Sequence, residues 1–230
     1  MAENKPTPLK PAMSRRTVLR EQVKEHIVNA ILNGEIEQGE RVVESSLARE
    51  LGISQGPVRE AIRDLVMMGF LETVPYKGAT VRVFSTQDFY EIYTVRAALE
   101  SLAARQASHR FTEDDMNDLR RVLDEMIAAA RREDLHETVR QNNRFHELIL
   151  LISGNSMLHQ LWKTLQFWQW TSFSAKHSAK SLEELALRHE ILLEALQSRD
   201  PAIAMNAMRQ HIEQLGPAEN QVILDQRSAN

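Results

Sequence analysis

The 230-residue chain contains no cysteine, which excludes a disulfide framework, a thiolate zinc site and a cysteine nucleophile. Aromatic residues are scarce, at 6%, and no apolar run approaches the roughly 18 residues of a membrane span. Residues 1–14 carry Pro6, Pro8 and Pro11 where a signal peptide needs an apolar core. The expectation is a soluble, cytoplasmic protein. What the chain does have, 43% hydrophobic and 26% charged residues, suits one large globular domain or two ordinary ones and excludes disorder for most of its length.

A surplus of charge of one sign is also nearly absent, since the net charge is only −4. That value hides an asymmetry. Residues 1–84 hold twelve Lys and Arg against eleven Asp and Glu, or +1, and the remainder holds sixteen against twenty-one, or −5. Six of the eight glycines lie in the first part and seven of the eight histidines in the second. This points to two domains. The boundaries expected are a flexible leader at 1–14, a first domain at 15–84, a second domain at 85–218, and a tail at 219–230.

Leu19, Val23, Ile27, Ala30 and Ile31 recur at helical spacing up to Gly34. A short helix follows from Glu44 or Ser45 to Glu50. Gly52 then turns the chain, and Ser54 is placed to cap a third helix with Pro57 in its first turn, ending near Met68. Two β-type runs, Phe70 to Val74 and Ala79 to Phe84, flank Pro75, Tyr76, Lys77 and Gly78 as a hairpin. Three helices and a hairpin make a winged helix-turn-helix, and hence point to DNA.

From Ser85 on the pattern is helical. A helix to about His109 has Phe89, Ile92, Tyr93, Val95, Leu99, Leu102 and Ala103 as its apolar set. Others begin at Thr112 with Asp115, near Asp134, at Ser156 and at Ser181 with Glu184, and the last begins at Asp200 and Pro201. The helix from Ser156 is expected to run unbroken to about Lys176 and to carry all three tryptophans. The fold class is therefore mainly α: an N-terminal winged helix-turn-helix followed by an all-α bundle of about six helices.

Leu47, Ala48, Arg49, Glu50, Leu51, Gly52, Ile53, Ser54, Gln55, Gly56, Pro57, Val58, Arg59, Glu60, Ala61, Ile62 and Arg63 form an ungapped run. With Gly69 to Leu71 and Pro75 to Val81, it resembles the helix-turn-helix and wing of the GntR family of bacterial transcription regulators. The later helices resemble the FadR-type effector domain, FCD. That likeness rests on Arg96 to Glu100, Asn142 to His146, Ser153 to Asn155, His189 and His211.

A recognition helix enters the major groove N-terminus first, which brings Ser54, Gln55, Gly56 and Arg59 nearest the DNA. Arg59 can grip guanine or a phosphate, and Gln55 can pair with adenine or reach a phosphate. The family commonly has arginine and threonine where this chain has Gln55 and Gly56, so the operator sequence does not transfer. Arg49 and Arg63 can meet the DNA backbone, and Lys77 and Gly78 resemble the family's minor-groove contacts. The plain alternative makes Arg49, Arg59 and Arg63 solvated helix charges.

Asn142 and His146 lie four apart and leave one helix face. From spacing alone, His146, His189 and His211 are ordinary core or surface residues. With the resemblance they become, together with Asn142, a ligand set for a divalent ion such as zinc, nickel or manganese. The resembling domain usually has aspartate first, so the neutral Asn142 is expected to weaken binding. Arg96 and Arg140 are candidates for holding an anionic effector, or else for pairing with carboxylates. Gln166 and Gln169 stand where relatives often carry arginine, which suggests an aromatic or less acidic ligand. The tryptophans around them read more readily as helix core or dimer seam.

The function expected is a ligand-responsive, homodimeric DNA-binding regulator, a repressor, acting on a palindromic double-stranded operator and controlled by an organic acid or aromatic metabolite. A metal-dependent enzyme using the histidine site is the alternative. No acidic residue stands at a motif-supported position to serve it as general base.

Overall fold

A computed structural model describes residues 15–215. The leader at 1–14 and the tail at 219–230 lie outside those residues. The chain divides into two compact units, Met1–Val83 and Phe84–Asn230.

The first unit contains α1 (Arg15–Asn33), α2 (Glu44–Glu50), α3 (Gln55–Met67), β1 (Leu71–Val74) and β2 (Gly78–Val81). Its core is the apolar stripe read from the sequence: α1 packs on α3, and Val23, Ile27 and Ile31 of α1 and Val58, Ile62 and Leu65 of α3 are buried, as are Leu47 and Phe70. α1 also contributes Lys24, whose buried stem carries its ammonium to 2.7 Å from Glu21 and 3.5 Å from Asp64. The α2–α3 turn passes through Gly52 at φ 65°, a left-handed conformation that strains any residue with a Cβ. Ser54 occupies the N-cap of α3, but its side chain accepts no capping hydrogen bond, contrary to expectation.

The hairpin is antiparallel, with Leu71 opposite Val81 and Val74 opposite Gly78. It is shorter than expected at its outer ends, because the Phe70 amide is drawn back to the Leu65 carbonyl to close α3. Arg41 forms a further bridge with Thr80, which ties the loop before α2 to the wing.

The second unit contains α4 (Thr86–Ser108), α5 (Glu113–Arg131), α6 (Leu135–Ile152), α7 (Ser156–Leu165), α8 (Trp168–His177), α9 (Leu182–Leu187), α10 (Glu190–Gln197) and α11 (Pro201–Glu213). The anticipated starts are present. Ser85 with Asp88, Thr112 with Asp115 and Ser181 with Glu184 form reciprocal capping boxes. Asp200 accepts from the amides of Ala202 and Ile203 at 2.7 and 3.1 Å, ahead of Pro201. Asp200→Ala is expected to cost about 1 kcal/mol in urea unfolding, because α11 packs along α4 and loses its N-cap.

Two expected helices are interrupted. The helix from Ser156 breaks at Gln166, which adopts φ 44°, so the tryptophans divide between α7 and α8. Burial of Trp162 on one side, and of Trp170 against Phe84 and Phe89 on the other, outweighs the strain of a left-handed glutamine. The helix from Ser181 tightens at Arg188 and His189, where the His189 amide bonds the Ala186 carbonyl three residues back. Val95 and Leu102, assigned to the apolar set of α4, are instead 47% and 39% exposed. That helix buries Arg96, Glu100 and Ser101 on its inner face. Among the described residues, no helix is long and apolar enough to cross a membrane.

Candidate metal centre and nucleic-acid interface

Three imidazoles and one amide meet inside the helical unit. Asn142 and His146 leave one face of α6, His189 stands at the α9–α10 junction, and His211 comes from the last turn of α11. All four are buried, and a ring nitrogen from each histidine lies within 4.8 Å of the others. Nε2 of His189 is 3.3 Å from Nε2 of His146 and 3.0 Å from Oδ1 of Asn142.

The remaining ring nitrogens decide what this cluster can hold. Nδ1 of His189 faces the carbonyl of Ala186 at 3.0 Å, which can only accept. The proton therefore belongs on Nδ1, and Nε2 keeps its lone pair. Nδ1 of His146 lies 2.6 Å from Oε2 of Glu100, so its Nε2 presents a lone pair as well. With the Asn142 carbonyl oxygen, three lone pairs converge. Around a cation they become ligands.

His211 supports the same conclusion. It is 3% exposed, yet among the described residues neither of its ring nitrogens has a hydrogen-bond partner. A buried polar group in that condition costs about 1–3 kcal/mol. Burial also pushes all three imidazoles toward the neutral, metal-binding form. His146 lies below its ordinary pKa, although Glu100 opposes the shift. His189 and His211 lie well below theirs, with the neighbouring imidazoles adding to the effect of burial.

Sequence reasoning did not assign a role to Glu100, although it stands one turn from Arg96 on α4. Its Oε1 accepts from Nε of Arg96 and from Nε1 of Trp162, each at 2.7 Å. Nη1 of Arg96 continues to Thr171 at 2.9 Å. Burial alone raises the pKa of Glu100, but Arg96 and His146 outweigh it and hold the carboxyl down to about 2. The carboxylate thus orients His146 while Arg96 neutralises it.

The candidate effector residues are placed less uniformly. Arg96 is buried and engaged by Glu100. Gln169 is buried on α8 beside Gln166, with which it shares a hydrogen bond. Arg140 is not brought to the cluster. It is exposed and grips Glu137 with two hydrogen bonds of 2.6 Å. It stands two positions before Asn142, which is about 200° around the helix and so the wrong face. The donor set of His146, His189, His211 and Asn142 fits a divalent ion of the zinc, nickel or manganese type. Such an ion supplies positive charge and open positions for a ligand oxygen.

In the first unit, Arg49, Ser54, Gln55, Arg59, Arg63, Lys77 and Gly78 are exposed and Gly56 is partly so. Nε of Arg59 lies 3.0 Å from Oε2 of Glu44, which holds the guanidinium in one orientation at the N-terminal part of α3. Tyr76, absent from the candidates, stands fully exposed beside Lys77 at the wing tip with φ 65°.

Comparison with known proteins agrees with this division. Residues 19–81 match the model of bacterial regulatory proteins of the gntR family, and residues 91–214 match the FCD domain. The chain is 30% identical to a probable D-xylose utilization operon transcriptional repressor of Paenarthrobacter nicotinovorans, over 88% of this chain and 89% of the relative. It is 27% identical to the gluconate operon transcriptional repressor of Bacillus subtilis, over 80% of this chain and 77% of that one. The solved structure of Escherichia coli McbR/YncC superposes with a TM-score of 0.69 at 25% identity, covering 91% of this chain and 98% of that one. A winged helix-turn-helix joined to a helical unit with these matches makes the chain a member of the GntR family of transcriptional regulators, in the group that carries an FCD domain.

Proposed function

We propose that this chain is a homodimeric repressor that reads an inverted-repeat operator with α3 and the wing, and that releases DNA when a small metabolite binds at a metal centre in the helical unit. The observation that carries this reading is a division of labour. The exposed polar face of α3 lies in one unit, and the converging lone pairs of His146, His189 and Asn142 lie in the other.

The net charge of only +1 over residues 1–84 allows few phosphate contacts per chain, so useful affinity needs two half-sites held by a dimer. Relatives named as repressors of D-xylose and gluconate operons support repression as the sign. Control follows by linkage: an effector that favours the DNA-incompetent arrangement weakens DNA binding by the factor with which DNA weakens effector binding. The donor set favours an effector with an oxygen to offer the metal, as an organic acid has.

Arg59→Ala tests the docking. Loss of a bidentate base contact is expected to cost about 1–3 kcal/mol, roughly a 5- to 150-fold rise in Kd, and to relax specificity at one base pair. Arg63→Ala, a backbone contact, should weaken binding to all sequences alike and lower the salt slope by about one. Fluorescence anisotropy on an operator duplex over a salt series measures both. Full affinity in Arg59→Ala would overturn the placement of α3 in the groove.

A further inference from the structure

The tip of the wing holds an aromatic residue in a strained and unprotected place. The Lys77 amide donates to the Val74 carbonyl at 3.1 Å, so Val74, Pro75, Tyr76 and Lys77 form a four-residue turn. The proline ring fixes a negative φ at Pro75, and Tyr76 follows at φ 65°. That combination is a type II turn, whose third position ordinarily takes glycine or asparagine. A bulky side chain there is strained. The left-handed conformation of Gln166 is offset by burial of the tryptophans on either side. Tyr76 has no such compensation, because it is fully exposed, at 106%. Packing within the unit therefore does not explain why this ring stands here.

Two cations share the tip. Lys77 follows Tyr76 and is exposed. From the loop before α2, the Arg41 guanidinium reaches the wing, with Nε and Nη2 at 3.8 Å from where a Cβ on Gly78 would stand. An exposed phenol with two cations suits a narrow minor groove. Such a groove is about 6 Å wide, concentrates negative potential that attracts Arg and Lys, and admits an aromatic ring edge-on between its sugar walls. At A·T pairs its floor offers the acceptors adenine N3 and thymine O2, whereas at G·C pairs the guanine amino group projects into it. A tyrosine hydroxyl can donate to those acceptors, and the amino group blocks its approach.

We propose, on the reading that α3 and the wing dock on DNA, that Tyr76 reads A·T pairs beside each half-site from the minor groove, with Arg41 and Lys77 drawing the tip into it. The wing then adds a sequence preference of its own to that of α3.

The test is selection from a random duplex library by the full-length wild type and by Tyr76→Gly, followed by fluorescence anisotropy on the duplex that the wild type enriches. Both proteins are expected to enrich one inverted-repeat core, while A·T pairs flanking it are enriched by the wild type alone. Replacing those pairs by G·C should raise the wild-type Kd roughly 5-fold or more, and inosine·C, which lacks the amino group, should restore it. Tyr76→Gly should bind the A·T and G·C duplexes alike, with a Tm equal to or above that of the wild type, because glycine relieves the turn. A shared core with the same flanks for both proteins would overturn the role of Tyr76 and leave the docking of α3 standing. Absence of any shared core with the wild type would remove the docking, and this role with it. A Tm clearly below the wild type would make Tyr76 a structural residue of the wing instead. Equal affinity of the wild type for the A·T and G·C duplexes would overturn the proposal without recourse to the variant.

Discussion

Glu100→Ala is expected to destabilise the helical unit by about 3–5 kcal/mol, a large fraction of the stability of an ordinary domain. The side chain is 1% exposed and its carboxylate serves three partners: Arg96, Trp162 and His146. Removing it leaves the Arg96 guanidinium charged at 2% exposure, with Thr171 as its remaining hydrogen-bond acceptor given by the geometry. The cost is that of an uncompensated buried charge, and the pair's own contribution is a separate quantity. The double replacement Arg96→Met with Glu100→Leu should therefore recover most of the loss, since apolar side chains of similar size remove both charges together. Urea unfolding followed by circular dichroism measures this directly. A single-mutant loss below about 1 kcal/mol would show that the buried pair is not what holds α4 against α7 and α8.

His211→Leu should produce effects of opposite kind on two readouts. In metal-free protein the replacement removes two unpartnered buried nitrogens and keeps an apolar side chain of comparable bulk, so stability is expected to hold or rise by about 1 kcal/mol. With metal the comparison reverses. A ligand at about 100 times its Kd stabilises the native state by about 2.7 kcal/mol, which raises Tm by roughly 5–10 °C for a chain of this size. That rise should appear in the wild type on addition of Ni²⁺ and be largely lost in His211→Leu. A variant that loses stability without metal, and gains as much as the wild type from metal, would make His211 a packing residue.

Much of this architecture was legible because the signals were local. Ser85, Thr112 and Ser181 each have an acidic residue three positions later, and each begins a helix where that pattern says it should. Asn142 and His146 share a face by helical period alone. The break at Gln166 was not legible, because neither glycine nor proline marks it. It arises from the demand of Trp162 and Trp170 for separate buried sites, a tertiary effect that overrides local preference.

Glu100 illustrates a different limit. A buried glutamate reads from sequence as a surface residue, since burial becomes tolerable only when Arg96, Trp162 and His146 are brought around it from α4, α7 and α6. The four-residue spacing from Arg96 was the available clue. Arg140 shows the reverse case. Its charge suggested effector binding, while its two-residue offset from Asn142 already placed it on the other side of α6, where Glu137 binds it.

The most direct test of a metabolite-controlled repressor is selection of fragments of the source genome by the purified full-length chain, followed by affinity measurement on the enriched sites. The prediction is a small set of inverted repeats bound at least about 10³-fold more tightly than unrelated duplex, with that preference reduced by Arg59→Ala. Even recovery of fragments without a shared repeat, at an affinity that Arg59→Ala leaves unchanged, would contradict it.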